Sequence, residues 1–203
     1  MFIMRSARYI LPLLCILTIT TASILYANEV SKSKIVSDDL EIELYLKEHK
    51  LKAVDHMRVQ CVDKDKISCL INEAFQILSI GSLGRKLDFK VRTRGFAIDG
   101  LIQNGISGNV QCMEITIPQD LRQADSVVLD IAYEGCLLER PASLELEDVG
   151  KTTGIIDEAG VYLSPACTWY PDIPGSLATF SVIVITPEGY EAVTQGTLIS
   201  RKS

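Results

Sequence analysis

From Asp39 onward the chain alternates apolar and polar residues with a period of two. Leu40, Ile42, Leu44 and Leu46 fall on one side, with Glu41, Glu43 and Tyr45 on the other. That is the pattern of a strand with one face in a core. A turn at Glu48-His49-Lys50 leads into a second strand through Val59 and Cys61. Between Arg85 and Arg94 the pattern points Leu87, Phe89 and Val91 inward and Lys86, Lys90, Arg92 and Arg94 outward. Met113, Ile115 and Ile117 alternate until Pro118, and Val127, Leu129, Ile131 and Tyr133 alternate up to Glu134-Gly135. Phe180, Val182 and Val184 form another run, and the turn signal Pro187-Glu188-Gly189 precedes a last strand from Ala192 to Ile199.

No window carries a sustained helical period. Many short strands divided by turn residues predict an all-β, antiparallel β-sandwich, because parallel pairing calls for crossover helices and none is visible. The acidic, weakly patterned stretch from Leu137 to Glu158 is expected to be a long loop or an irregular edge. No repeat or linker divides the chain.

Composition fits one domain. The chain has 203 residues, 47% hydrophobic and 23% charged, enough apolar material for one core and too much for disorder. Its start reads as a leader, residues 1–27: Arg5 and Arg8, an apolar run from Tyr9 to Ile19, then Thr20, Thr21, Ala22 and Ser23, with cleavage after Ala27. This predicts export to the periplasm or the cell exterior. The alternative is an anchor retained in the membrane through residues 10–27, a stretch near the lower limit of about 17 residues for a span. Cys15 lacks the preceding small residue of a lipid-attachment signal. Residues 28–203 form the domain. From residue 28 the balance is 18 basic against 26 acidic residues, net −8, which repels phosphate backbones and argues against nucleic acid as a partner.

Chemistry-bearing motifs are few. His49 and His56 are the two histidines, and neither stands in HExxH spacing; a catalytic zinc needs about three protein ligands. No GxSxG elbow or Gly-rich phosphate loop occurs. No catalytic residue, metal ligand or cofactor site is predicted. Glu145, Glu147 and Asp148 lack calcium-loop spacing and read as a solvated loop. The cationic alternation of Lys86, Lys90, Arg92 and Arg94 reads as a solvated sheet face. Cys61 and Cys69 flank Val62 to Ser68, which reads as a hairpin turning at Lys64-Asp65-Lys66. They either form a disulfide across it in an oxidising compartment or, like Cys112, Cys136 and Cys167, are small apolar residues.

One motif is dense. Gly160-Val161-Tyr162-Leu163 is followed by Cys167-Thr168-Trp169-Tyr170-Pro171-Asp172-Ile173-Pro174. Pro171 and Pro174 fix their φ angles, Asp172 can accept nearby backbone N–H groups, and the only tryptophan stands at the entrance. It reads as a rigid folded corner of the core, with a ligand site as the alternative.

These residues carry a resemblance. GVYL, WYPDIPGSLATF and SVIVITPEGYEAVTQG, spanning Gly160 to Gly196, resemble the last third of the N-terminal domain of aminopeptidase N-type zinc peptidases. Asp39 to Ala53 resembles that domain's opening hairpin, Ile67 to Ile80, with CLINEAFQILSI, its Leu-x-Leu-Asn segment, and Val128 to Gly135, with IAYEG, its Tyr-x-Gly strand end. The resemblance implies a saddle-like β-sandwich that packs against a thermolysin-like catalytic domain. That domain would carry a Gly-x-Met-x-Asn strand, HExxH and a further zinc-binding Glu; this sequence holds none of them. Asp172 stands where many members have Cys, and Tyr162 stands where members often hold the substrate amine with Glu or Gln. The expected function is therefore that of a non-catalytic N-terminal domain, truncated or split from its catalytic partner. Tyr162, Trp169, Tyr170, Pro171, Asp172 and Pro174 would lie toward the interface. The alternative is a free-standing envelope module that binds a peptide or protein. A metal hydrolase acting alone lacks the ligand set.

Overall fold

A computed structural model of the chain describes residues 33–61, 65–94, 110–138 and 154–201. The leader lies outside these, as do Glu145, Glu147 and Asp148. The described residues form eleven strands: β1 Lys34–Tyr45, β2 Lys50–Gln60, β3 Lys66–Asn72, β4 Phe75–Ser82, β5 Arg85–Lys86, β6 Phe89–Arg94, β7 Val110–Thr116, β8 Ser126–Cys136, β9 Gly154–Asp157, β10 Gly160–Leu163 and β11 Thr179–Ile185. No α-helix occurs among them. No helix there is long and apolar enough to cross a membrane.

A six-stranded sheet runs β11-β1-β2-β8-β4-β5, a three-stranded sheet runs β3-β7-β6, and β9 and β10 form a hairpin. The core lies between the apolar faces of the first two. Leu51, Met57 and Val59 of β2 and Leu129, Ile131 and Tyr133 of β8 are buried from one side. Ile67, Cys69 and Ile71 of β3 and Met113 and Ile115 of β7 are buried from the other. Each such side chain stabilises by roughly 1.5–3 kcal/mol when fully buried. Phe75 meets Tyr133 edge to face, with ring centroids 5.6 Å apart.

The predicted inward sets on β1, β7 and β8 are the buried ones, with Leu44 only partly covered. A bulge between Ile35 and Ser37 makes Val36 an extra residue. Below it Ile35 faces the core; above it Asp38, Leu40 and Ile42 do.

Five expectations are corrected. Cys61 and Cys69 do not flank a hairpin, because β2 belongs to the six-stranded sheet and β3 to the three-stranded one. Arg85 to Arg94 is not one strand: β5 closes a tight turn on β4, then the chain crosses sheets at Leu87-Asp88, and Val91 of β6 is exposed. Part of the presumed loop, Gly154 to Asp157, is strand β9. The segment from Ala192 to Ile199 forms no strand, and Val193 is 94% exposed. The large sheet is mixed, since β11 runs parallel to β1, with Ser37 opposite Thr179 and Glu43 opposite Ile185. The return needs no crossover helix, because the intervening chain travels through the other strands of the sandwich.

Candidate functional site

The dense motif folds as a corner that closes the edge of the three-stranded sheet. Leaving β10, the chain makes a 3-10 turn at Pro165–Cys167, with the Ser164 hydroxyl accepting the Ala166 N–H at 3.2 Å. Thr168 then adopts a left-handed conformation, φ 50°, which throws the chain back across β3. Leu70 and Asp172 exchange backbone hydrogen bonds of 2.7 and 2.8 Å, and the Asn72 N–H donates to the Thr168 carbonyl at 2.9 Å. β3, otherwise an edge strand, thus has its outer backbone row partly paired. Buried Asn72 adds side-chain bonds: its amide donates to the Cys167 carbonyl and its oxygen accepts the Ala74 N–H, both at 2.9 Å. Gly175, φ 83°, releases the chain at the far end, where the Ser176 hydroxyl accepts the Ile35 N–H of β1 at 3.0 Å.

Trp169 and Tyr170 stack edge to face, centroids 4.9 Å apart, and are half-buried against the core. Pro171 and Ile173 are buried, while Asp172 and Pro174 are partly covered. The Asp172 carboxylate accepts the Ile173 N–H, as a turn-capping residue should, yet burial outweighs that bond and raises its pKa. Tyr162 stands apart on β10, exposed. Beyond the corner Leu177 is 98% exposed, and Phe180, Ile183 and Ile185 of β11 are exposed as well.

The two histidines have partners. His49, at the β1–β2 turn, bonds through Nδ1 to the Ile156 carbonyl at 2.7 Å, and His56 Nδ1 meets Asp130 Oδ1 at 2.6 Å on the outer sheet face. On β6, Arg92 lies 3.5 Å from Glu114, which also pairs with Lys66 at 2.9 Å, so this cationic face carries its own counter-charge. Cys69 is fully buried, and burial pushes its thiol pKa well up.

Sequence reasoning missed a buried acidic cluster behind the corner. Asp55 is 0% exposed and Asp38 5%. Asp38 Oδ1, both carboxylate oxygens of Asp55 and the Tyr133 hydroxyl are buried with no hydrogen-bond partner. Burial first, then the charges of Asp172 and Asp39, push Asp38 up to about 7. Burial first, then Asp38 and Asp39, push Asp55 up to about 8. A signal existed: Asp55 falls in phase with Leu51, Ala53, Met57 and Val59, and Asp38 in phase with Leu40 and Ile42.

Among the described residues no group of three or more His, Cys, Asp or Glu is placed to hold a metal ion. His49 is engaged by the Ile156 carbonyl and His56 by Asp130 on the outer sheet face, so the two histidines have separate partners.

Solved structures decide what this architecture is. The M1 zinc metallopeptidase from Deinococcus radiodurans superposes with a TM-score of 0.53 at 17% identity, over 75% of this chain and 32% of that one. The fold is that of a segment of the M1 zinc metallopeptidases. Leukotriene A4 hydrolase from Saccharomyces cerevisiae matches with a TM-score of 0.50 at 14% identity, over 77% of this chain and 24% of the hydrolase. At such identities the likeness to the M1 enzymes is one of fold, and the chain spans about a third or less of their length. No protein-family model matches the sequence, and no curated protein does.

Proposed function

We propose that the chain is a non-catalytic domain of the zinc-aminopeptidase type whose task is to seat a peptidase catalytic region. The observation that carries this is the unequal overlap: three quarters of this chain matches the M1 fold, yet it accounts for only 32% of the solved metallopeptidase. Support comes from exposed apolar residues past the corner: Leu177, and on β11 Phe180 on one face and Ile183 and Ile185 on the other. β11 is an edge strand of the six-stranded sheet, and apolar side chains on a sheet edge are a place where a partner can pack. The basic, apolar and small-residue succession of residues 1–27 adds the proposal that this happens outside the cytoplasm.

The test is to sequence the DNA beyond the Ser203 codon, translate its forward frames, and run the purified chain on size exclusion with a hydrophobic dye. A frame encoding HExxH, together with a dye-binding and self-associating chain, is the expected result. A clean stop followed by an unrelated gene, with a monodisperse and dye-silent chain, would overturn the proposal in favour of a free-standing envelope module that binds a peptide or protein.

A further inference from the structure

The acidic cluster behind the corner is built into the sandwich. Leu40 of β1 lies opposite Asp55 of β2, and Asp38 lies opposite Met57, so the two carboxylates are diagonal neighbours on adjacent strands, about 7 Å apart at the backbone. Tyr133 of β8, opposite Ala53, is the diagonal neighbour of Asp55 on the other side. These groups look across the core at Cys69 of β3 and at Tyr170 and Asp172 of the corner. Asp172 and Asp39 act on Asp38, and Asp38 and Asp39 act on Asp55; no cationic group is among them. An ionised carboxylate needs hydrogen-bond donors or a counter-ion once it leaves water. Asp55 has neither on either oxygen. Two such groups side by side cannot both carry charge without a large penalty, so the pair is built to keep protons.

We propose that Asp38 and Asp55 form a buried proton store, and that its discharge in mild alkali loosens the seat of the corner from Thr168 to Ile173. The mechanism is electrostatic. With protons bound, both acids are neutral, so neither asks the dry core to hold an unpaired charge and neither repels the other. Once the protons leave, the Asp38 charge, backed by that of Asp55, faces Asp172, whose own backbone bonds hold the corner to Leu70. Repulsion then acts on the segment that closes the edge of β3. The folded state binds more protons than the unfolded chain between the ordinary carboxylate value of 3.8 and the raised values of about 7 and 8. Stability is therefore fully present in acid and is lost as pH rises through that window, the reverse of a salt-bridged carboxylate.

The experiment uses the full chain. Its single tryptophan, Trp169, lies inside the corner and reports locally, while far-ultraviolet circular dichroism reports on the sheets. Urea unfolding is followed by both signals from pH 5 to pH 9. The unfolding constant should rise about tenfold per pH unit for each proton held, about 100-fold from pH 5 to pH 7 for one. Trp169 emission should shift to the red in alkali while the dichroism still reads folded. Asp55→Asn should flatten the pH dependence; Asp39→Asn, on the exposed face, should leave most of it. If Asp55→Asn does not fold, Asp38→Asn and the protonated-carboxyl infrared band of the wild-type chain at pH 6 serve instead. A flat profile from pH 5 to pH 7, an unchanged slope in Asp55→Asn, or carboxyls that are all ionised at pH 6 would overturn the proposal.

Discussion

Replacing Gly135 by alanine probes how tightly β8 is seated on β4. Gly135 lies opposite Phe75 at the start of β4, and it ends the buried run of Leu129, Ile131 and Tyr133. A Cβ there would lie 2.4 Å from the Ala74 carbonyl oxygen, 2.6 Å from Phe75 Cδ1 and 2.8 Å from Phe75 Cα. Two of the three obstacles are backbone, so no rotamer change relieves them. Restoring ordinary contact to the Ala74 oxygen means moving the start of β4 by about 1 Å, which pulls Phe75 off its edge-to-face contact with Tyr133. Gly135 does not have a positive φ, so the cost is contact rather than backbone strain. Overpacking of a dense core costs typically 1–3 kcal/mol, and backbone obstacles place this site at the upper end, about 3 kcal/mol. Alanine recovers about 0.5 kcal/mol by restricting the unfolded chain. The expected net loss is about 2–3 kcal/mol, a large part of the stability of an ordinary domain. Urea titration followed by circular dichroism, with the slope held common, reads it directly. A loss below about 0.5 kcal/mol would refute the argument, because it would mean the β4–β8 contact yields freely.

The other predictions concern single buried groups. Tyr133→Phe should leave stability unchanged or raise it slightly in urea titration, because it deletes a buried hydroxyl that has no partner while keeping the ring. Asn72→Ala should cost about 1–3 kcal/mol and shift Trp169 emission, since it strips the Cys167 carbonyl and the Ala74 N–H of their bonds. Cys69 should resist a thiol reagent in the native chain at pH 8 and react in urea, given its full burial and raised pKa. A bridge between Cys61 and Cys69 would leave it unreactive in urea as well, and mass analysis of the labelled peptide tells the two apart.

Much of the sandwich was legible along the chain. Period two marks the side chains that leave water, and the buried sets on β1, β7 and β8 are those the alternation names. The proline corner was legible as a corner, because Pro171, Pro174 and Asp172 restrict the backbone whatever lies around them. Its role as the cover of β3 was not. That role rests on backbone bonds between Asp172 and Leu70, about a hundred residues apart, and backbone groups look alike at every position. The Leu-Ile-Asn run at residues 70–72 held the matching piece, but nothing local says that Asn72 reaches Cys167.

What the sequence by itself determined is which face of each strand is apolar and where turns fall. What only the tertiary structure decided is the partner of each strand. Alternation specifies a face but no neighbour, so β2 and β3, or β5 and β6, read as continuous partners although the chain changes sheets between them. The parallel pairing of β11 with β1 belongs to the same class, as does the missing strand at residues 192–199, where alternation finds no partner edge. Asp38 and Asp55 make the sharpest case. Their phase puts them on the inner face, and only the second layer, with β3 and the corner laid over them, takes their carboxylates out of water. The physical reason is that burial is a property of what packs above a residue, and that information is distributed over the whole fold.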